Sequence, residues 1–109
     1  MRKAEILHFG RPAGILAEGE DGYTFTYGAD YLALPDATPV SRLLPLRAAP
    51  HHDKRLFPFF DGLIPEGWLL EIAEKTWKLD PRDRMGLLLA CCRDCIGATS
   101  VRPLIEEQP

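Results

Sequence analysis

The sequence predicts an α+β fold, an N-terminal antiparallel β-meander packed against two C-terminal α-helices in a single small domain. Three observations carry this. Short runs of alternating apolar and polar residues, separated by glycine- and proline-bearing turns, fill the first half of the chain. Apolar residues spaced three and four apart fill the second half. The length of 109 residues with 46% apolar content suits one domain with one core, and folding should bury roughly two-thirds of the unfolded surface.

Each element has its own signature. Residues 4–9 (AEILHF) read as a strand, Gly10-Arg11-Pro12 as a turn and residues 13–18 as a second strand. The polar, glycine-bounded EGEDG at residues 18–22 is a turn. It leads into YTFTY at residues 23–27, whose aromatics fall on one face and threonines on the other. Residues 29–34 form a helical turn, and PDATP at 35–39 a loop. VSRLLPL at 40–46 is expected to return as a strand ended or edged by Pro45. Residues 47–55 are expected to be a polar loop. After Pro65 a helix is expected, with Glu71–Lys75 and Glu74–Lys78 pairs at i,i+4. Its mainly apolar arc comprises Leu69, Leu70, Ile72, Ala73, Thr76 and Trp77. Asp80-Pro81-x-Asp83 supplies an N-cap, a proline at the first helical position and an acidic first turn to a second helix. That helix has a core stripe at Met85, Leu88, Leu89 and Cys92. Gly97 stops it, residues 98–101 (ATSV) make a last short strand, and residues 104–109 are expected to fray.

Composition excludes several classes of function. A net charge of −3, a pI near 5.5 and no basic cluster denser than HHDKR at residues 51–55 argue against direct nucleic-acid binding. Glu5, His8 and Arg11 interrupt any leader-like apolar region, and the longest apolar run, residues 87–92, is six long, far short of a membrane span. Three cysteines, two of them adjacent, make a poor disulfide framework, so a reducing cytoplasm is expected.

Chemistry-bearing constellations are sparse. Cys92-Arg93-Asp94-Cys95 is a C-x-x-C, the pattern of a redox pair or of half a zinc site that His51 and His52 would complete. Against this, a redox C-x-x-C usually opens a helix and this one sits near a helix end, while adjacent histidines lack ligand spacing. Structural thiols are the favoured reading. There is no G-x-x-x-x-G-K-[ST] and no G-x-S-x-G, and Ser41 and Ser100 have no evident catalytic partners. Asp61 and Glu66 could pair as carboxylates, but such a pair is more often a helix cap or a solvated edge. No catalytic residue, cofactor or metal is expected.

The densest stretch is FPFFDGLIPEGW, residues 57–68, with three phenylalanines, two prolines and a tryptophan. Phe59 and Phe60 are expected to fix the segment to the core. Trp77 lies within the apolar arc of its helix. Trp68, in the first turn after Pro65, projects about 120° from the centre of that arc. An outward tryptophan there has the character of an interface anchor; the alternative is that it folds back onto Phe57 or Phe59.

FFDGLIPEG (residues 59–67) followed by LLLACCRDCIGATSV (residues 87–101) resembles the N-terminal subdomain of HipA-type serine/threonine kinase toxins. The matching positions are Phe59, Phe60, Gly62, Leu63, Pro65, Glu66 and Gly67, then Arg93, Asp94, Gly97 and Ala98. VSRLLPL resembles the family's L-S-L-P segment less closely, because Arg42 breaks its alternation. The resemblance covers residues 1–109 and implies a HipS-like domain of a three-component HipBST toxin–antitoxin system. Such a domain is expected to be a separate chain without the nucleotide loop, catalytic aspartate and metal ligands of the long kinases. It implies an antitoxin that binds and inhibits a HipT-like kinase toxin, and meets a HipB-like helix-turn-helix protein through the complex. A structural subunit that completes the kinase or bridges it to the HipB-like partner, without inhibiting it, is the alternative. The expected partner-binding residues are Trp68, Gly67, Glu66, Pro65, Ile64 and Asp61.

Overall fold

The computed structural model describes residues 2–64, 83–91 and 98–104. Five strands form one antiparallel sheet: β1 (Lys3–His8), β2 (Arg11–Gly19), β3 (Gly22–Tyr27), β4 (His51–Asp53) and β5 (Thr99–Leu104). Their spatial order is β4-β3-β2-β1-β5, so a meander is closed by the last strand returning beside the first. Three helices accompany them among the described residues: α1 (Ala29–Leu32), α2 (Pro58–Asp61) and α3 (Arg84–Cys91). The α+β sheet-and-helix architecture expected from the sequence is present, although the expected helix after Pro65 lies outside the described residues.

Alternation decides which face is covered. Ala4, Ile6 and His8 of β1, Leu16 of β2, Phe25 and Tyr27 of β3 and Val101 of β5 are buried on one face. Met85, Leu87 and Leu88 of α3, Phe60 of α2 and Tyr31 of α1 join them in one core. Phe25 lies at its centre, edge-on to Tyr27 at 4.8 Å between ring centroids and tilted against Phe60 at 5.4 Å.

Where β1 meets β2 the register slips between Ile6 and Leu7, which pair with Gly14 and Pro12. Pro12, which has no N–H to donate, stands beside this irregularity, paired with Leu7. The extra residue, Ala13, is buried, and its carbonyl accepts the Gly28 N–H at 2.9 Å.

Several expectations are corrected. Phe9 is not the end of the first strand: with Gly10 it forms the turn, both residues at positive φ (52° and 78°), and β2 begins at Arg11. A bulky residue in the left-handed region costs on the order of 1 kcal/mol. Residues 40–46 form no strand but a tight bend closed by an isolated Ser41–Leu44 bridge. The Tyr27 hydroxyl holds that bend from inside the core: it donates to the Leu44 carbonyl and accepts the Val40 N–H at 3.0 Å. Within 47–55, expected to be a loop, His51–Asp53 pairs with Phe25, Thr24 and Tyr23 as β4. Local propensity gave no sign of a strand so short and polar; pairing with β3 creates it.

The cap expected at Asp80 lies outside the described residues. Asp83 caps α3, its carboxylate accepting the Gly86 N–H at 3.1 Å and its carbonyl the Leu87 N–H at 3.0 Å. The same carboxylate receives both terminal nitrogens of Arg2 at 2.8 and 2.7 Å, and Arg2 also makes a two-point pair with Glu18 at 2.7 and 2.8 Å. One guanidinium thus ties the start of β1, the end of β2 and the start of α3. Leu104, placed with the fraying tail, ends β5 opposite Lys3; residues 105–109 lie outside the described residues.

Candidate functional site

The aromatic segment is built from α2 outward. Phe57 is extended (φ −51°, ψ 134°), as expected of a residue before proline, and Pro58 opens the helix where its missing N–H costs nothing. The turn closes when the Gly62 N–H reaches the Pro58 carbonyl at 2.9 Å. This short helix sends Phe57 and Phe60 into the core, both at most 6% exposed, with Phe59 packed partly buried beside Phe60. Two further backbone bonds, Leu63 to Phe60 at 3.0 Å and Ile64 to Asp61 at 3.2 Å, carry the chain to the edge of Pro65. The segment before Pro65 is therefore a fixed platform.

Two expected site residues lie on that platform. Ile64 is 4% exposed and its side chain packs in the chain's own core. Asp61 remains partly exposed, and its carboxylate accepts the Arg84 Nε–H at 2.5 Å, linking α2 to the first turn of α3. Pro65, Glu66, Gly67 and Trp68 lie outside the described residues, as do Cys92 and Cys95. The Asp61–Arg84 pair borders an open cleft of about 450 Å³, lined also by Tyr23, Lys54, Arg55 and Leu56. On the other side of α2, Pro58 and Phe59 wall a groove of about 270 Å³ with Leu43, Arg47 and His51.

Arg84 is the neighbour of Asp61 that sequence reasoning missed. It stands 23 residues from Asp61, and no spacing rule joins the two until α2 and α3 pack together. The histidines are also resolved. On β4, His51 points into the core with its Nε2 2.9 Å from the Pro45 carbonyl, whereas His52 is exposed. Successive strand residues face opposite ways, so the two cannot converge on one ion. Among the described residues no group of three or more His, Cys, Asp or Glu is placed to hold a metal. In the described site the Asp61 carboxylate is engaged by a guanidinium and the aromatics by the core.

A five-stranded antiparallel sheet with helices packed on one face, and the aromatic α2 segment set into its core, defines a small α+β domain. The profile of the HipA N-terminal domain family matches residues 4–102, and the chain belongs to that family. A solved structure of the N-terminal domain of HipA toxin superposes with a TM-score of 0.77 at 27% identity, covering 98% of this chain and 96% of that one. An uncharacterized protein of Haemophilus influenzae is 30% identical over 102 residues, which cover 94% of this chain and 92% of the relative. The putative kinase Y4mE of Sinorhizobium fredii is 28% identical over 108 residues; these span 98% of this chain but 26% of that longer protein.

Proposed function

We propose that this chain is the antitoxin of a three-component toxin–antitoxin system. It binds a separate HipT-like serine/threonine kinase toxin in the cytoplasm and inhibits its kinase activity, without being catalytic itself. The observation that carries this reading is membership of the HipA N-terminal domain family over residues 4–102. Two relatives support it. The Haemophilus protein is little longer than the domain, so the domain occurs apart from a kinase. In Y4mE its counterpart occupies 26% of a protein named a putative kinase, so the domain also occurs joined to one. A domain that shares one polypeptide with the rest of a putative kinase in one relative would keep a surface complementary to it when acting in trans. As a separate chain it must overcome the translational entropy that a covalent link avoids. An interface of about 1,600 Å² with one or two aromatic anchors supplies enough.

In this reading Trp68 is the inserted anchor, Pro65 and Gly67 set the turn that presents it, and Glu66 meets a basic group at the kinase active site. Asp61, held by Arg84, stands at the base of that turn. A HipB-like helix-turn-helix protein joins through the kinase, and this chain makes no contact with nucleic acid.

The test is co-expression of the kinase with this chain and without any HipB-like protein. Growth should recover, and purified kinase should lose activity in proportion to bound antitoxin. Trp68→Ala should weaken kinase binding by at least about 2 kcal/mol and abolish rescue while leaving thermal unfolding unchanged. Rescue by a folded Trp68→Ala variant would remove the anchor role. The fused arrangement in Y4mE favours a second reading, a structural subunit that completes the kinase or bridges it to the HipB-like partner. Co-purification with the kinase without relief of toxicity would establish it.

A further inference from the structure

The hairpin joining β1 to β2 turns on Phe9 and Gly10, both left-handed. Two consecutive left-handed residues make a type I′ turn, whose first position favours Asn, Asp or Gly because a bulky side chain crowds its own backbone. Phenylalanine is an outlier there. The backbone around it is held firmly. The Phe9 N–H donates to the Ala98 carbonyl at 2.6 Å, and β1 is paired on both sides by β2 and β5. Yet the ring contributes little to the core. It is 70% exposed and lies against His8, with centroids 4.5 Å apart and planes tilted by 59°. Across the hairpin from His8 stands Arg11, which pairs with Asp36 at 3.0 Å and sits over the Tyr31 ring at 5.9 Å. The tip is thus an aromatic ring bordered by polar groups, on a rigid stalk and in a conformation that disfavours it. Strain kept without a folding benefit points to a use outside the fold.

We infer that Phe9 is a second anchor on the HipA-like kinase, its ring entering an apolar pocket there; the inference rests on the kinase-partner reading above. The kinase is the occupant because in Y4mE the counterpart of this chain shares one polypeptide with the rest of a protein named a putative kinase. The tip stands at the far end of β1 from the Arg2–Asp83 corner, about 20 Å away at ~3.3 Å per residue. A standard interface, about 800 Å² on each partner, is wide enough to reach both ends.

The test uses Phe9→Asn, which suits the turn better than the native residue and so keeps the fold. Its thermal midpoint should rise by about 4 °C or more, while its affinity for a catalytically inactive short HipA-like kinase from the same organism falls at least tenfold. Phe9→Trp should retain binding. Equal kinase binding by wild type and Phe9→Asn overturns this inference and leaves the kinase reading intact. Failure of the wild-type chain to bind overturns both. Sedimentation showing a wild-type dimer that Phe9→Asn dissociates, with kinase affinity unchanged, assigns the ring to self-association instead.

Discussion

Tyr27 ends β3 with its hydroxyl inside the core, bonded to the Leu44 carbonyl and the Val40 N–H. Burial pushes its pKa up, so the neutral, hydrogen-bonding form persists through the physiological range. Tyr27→Phe would leave a buried donor and a buried acceptor of the 40–44 bend without their partner. We expect a loss of about 2 kcal/mol, read as a lower urea midpoint at unchanged slope, with faster amide exchange at Val40. This residue also shows what could be read in advance. Alternation in YTFTY identified the buried face, because side-chain direction in a strand is a local property. That the hydroxyl would shape residues 40–46 was not legible, since VSRLLPL is apolar enough to pass for a strand and its partner lies 13 to 17 residues away. The phenylalanines of 57–60 were legible for the opposite reason: three in four residues have few places to go but the core.

At the scale of elements, α3 is secured by Asp83, which serves both as helix cap and as partner of Arg2. The hydrogen bonds from Arg2 hold the Asp83 carboxyl below its ordinary range, with the Gly86 N–H adding to the effect. A carboxyl depressed in the folded state contributes stability that is present above its unfolded pKa, about 3.9, and is lost as pH falls through the lower folded value. Asp83→Asn separates the two roles, because asparagine caps about as well but cannot form the ion pair. With the Arg2 and Asp83 side chains 41% and 38% exposed, solvent screening keeps the loss at pH 7 small, up to about 1 kcal/mol. Denaturation from pH 7 to pH 2.5 should show the gap between wild type and variant closing below pH 4. The D-P-x-D pattern places Asp83 inside the first turn, whereas it stands just before Arg84 as the cap and the first turn holds no acidic residue. The tie to Arg2, 81 residues away, was not legible, and neither was the Asp61–Arg84 bond that braces α2. Ion pairs between elements depend on packing that no local pattern encodes.

For the molecule as a whole, the governing feature is the placement of β5 beside β1, with Leu104 opposite Lys3. The two ends of the described fold therefore lie side by side. A circular permutant that joins them through the existing terminal residues and a short glycine–serine link, and opens the β2–β3 turn between Glu20 and Asp21, should fold with a near-native circular dichroism spectrum and cooperative unfolding. An unfolded permutant would mean that the β2–β3 turn is needed to set the register. The sheet order has a further consequence during biosynthesis. β1 waits for β5: at ~5–20 residues per second, about 5–20 s separate Lys3 from Thr99. Until then β1 offers an unpaired edge on one side. A nascent chain thus carries an open sheet edge until residues 99–104 have been made, so any activity of this domain that needs the complete sheet waits for that stretch.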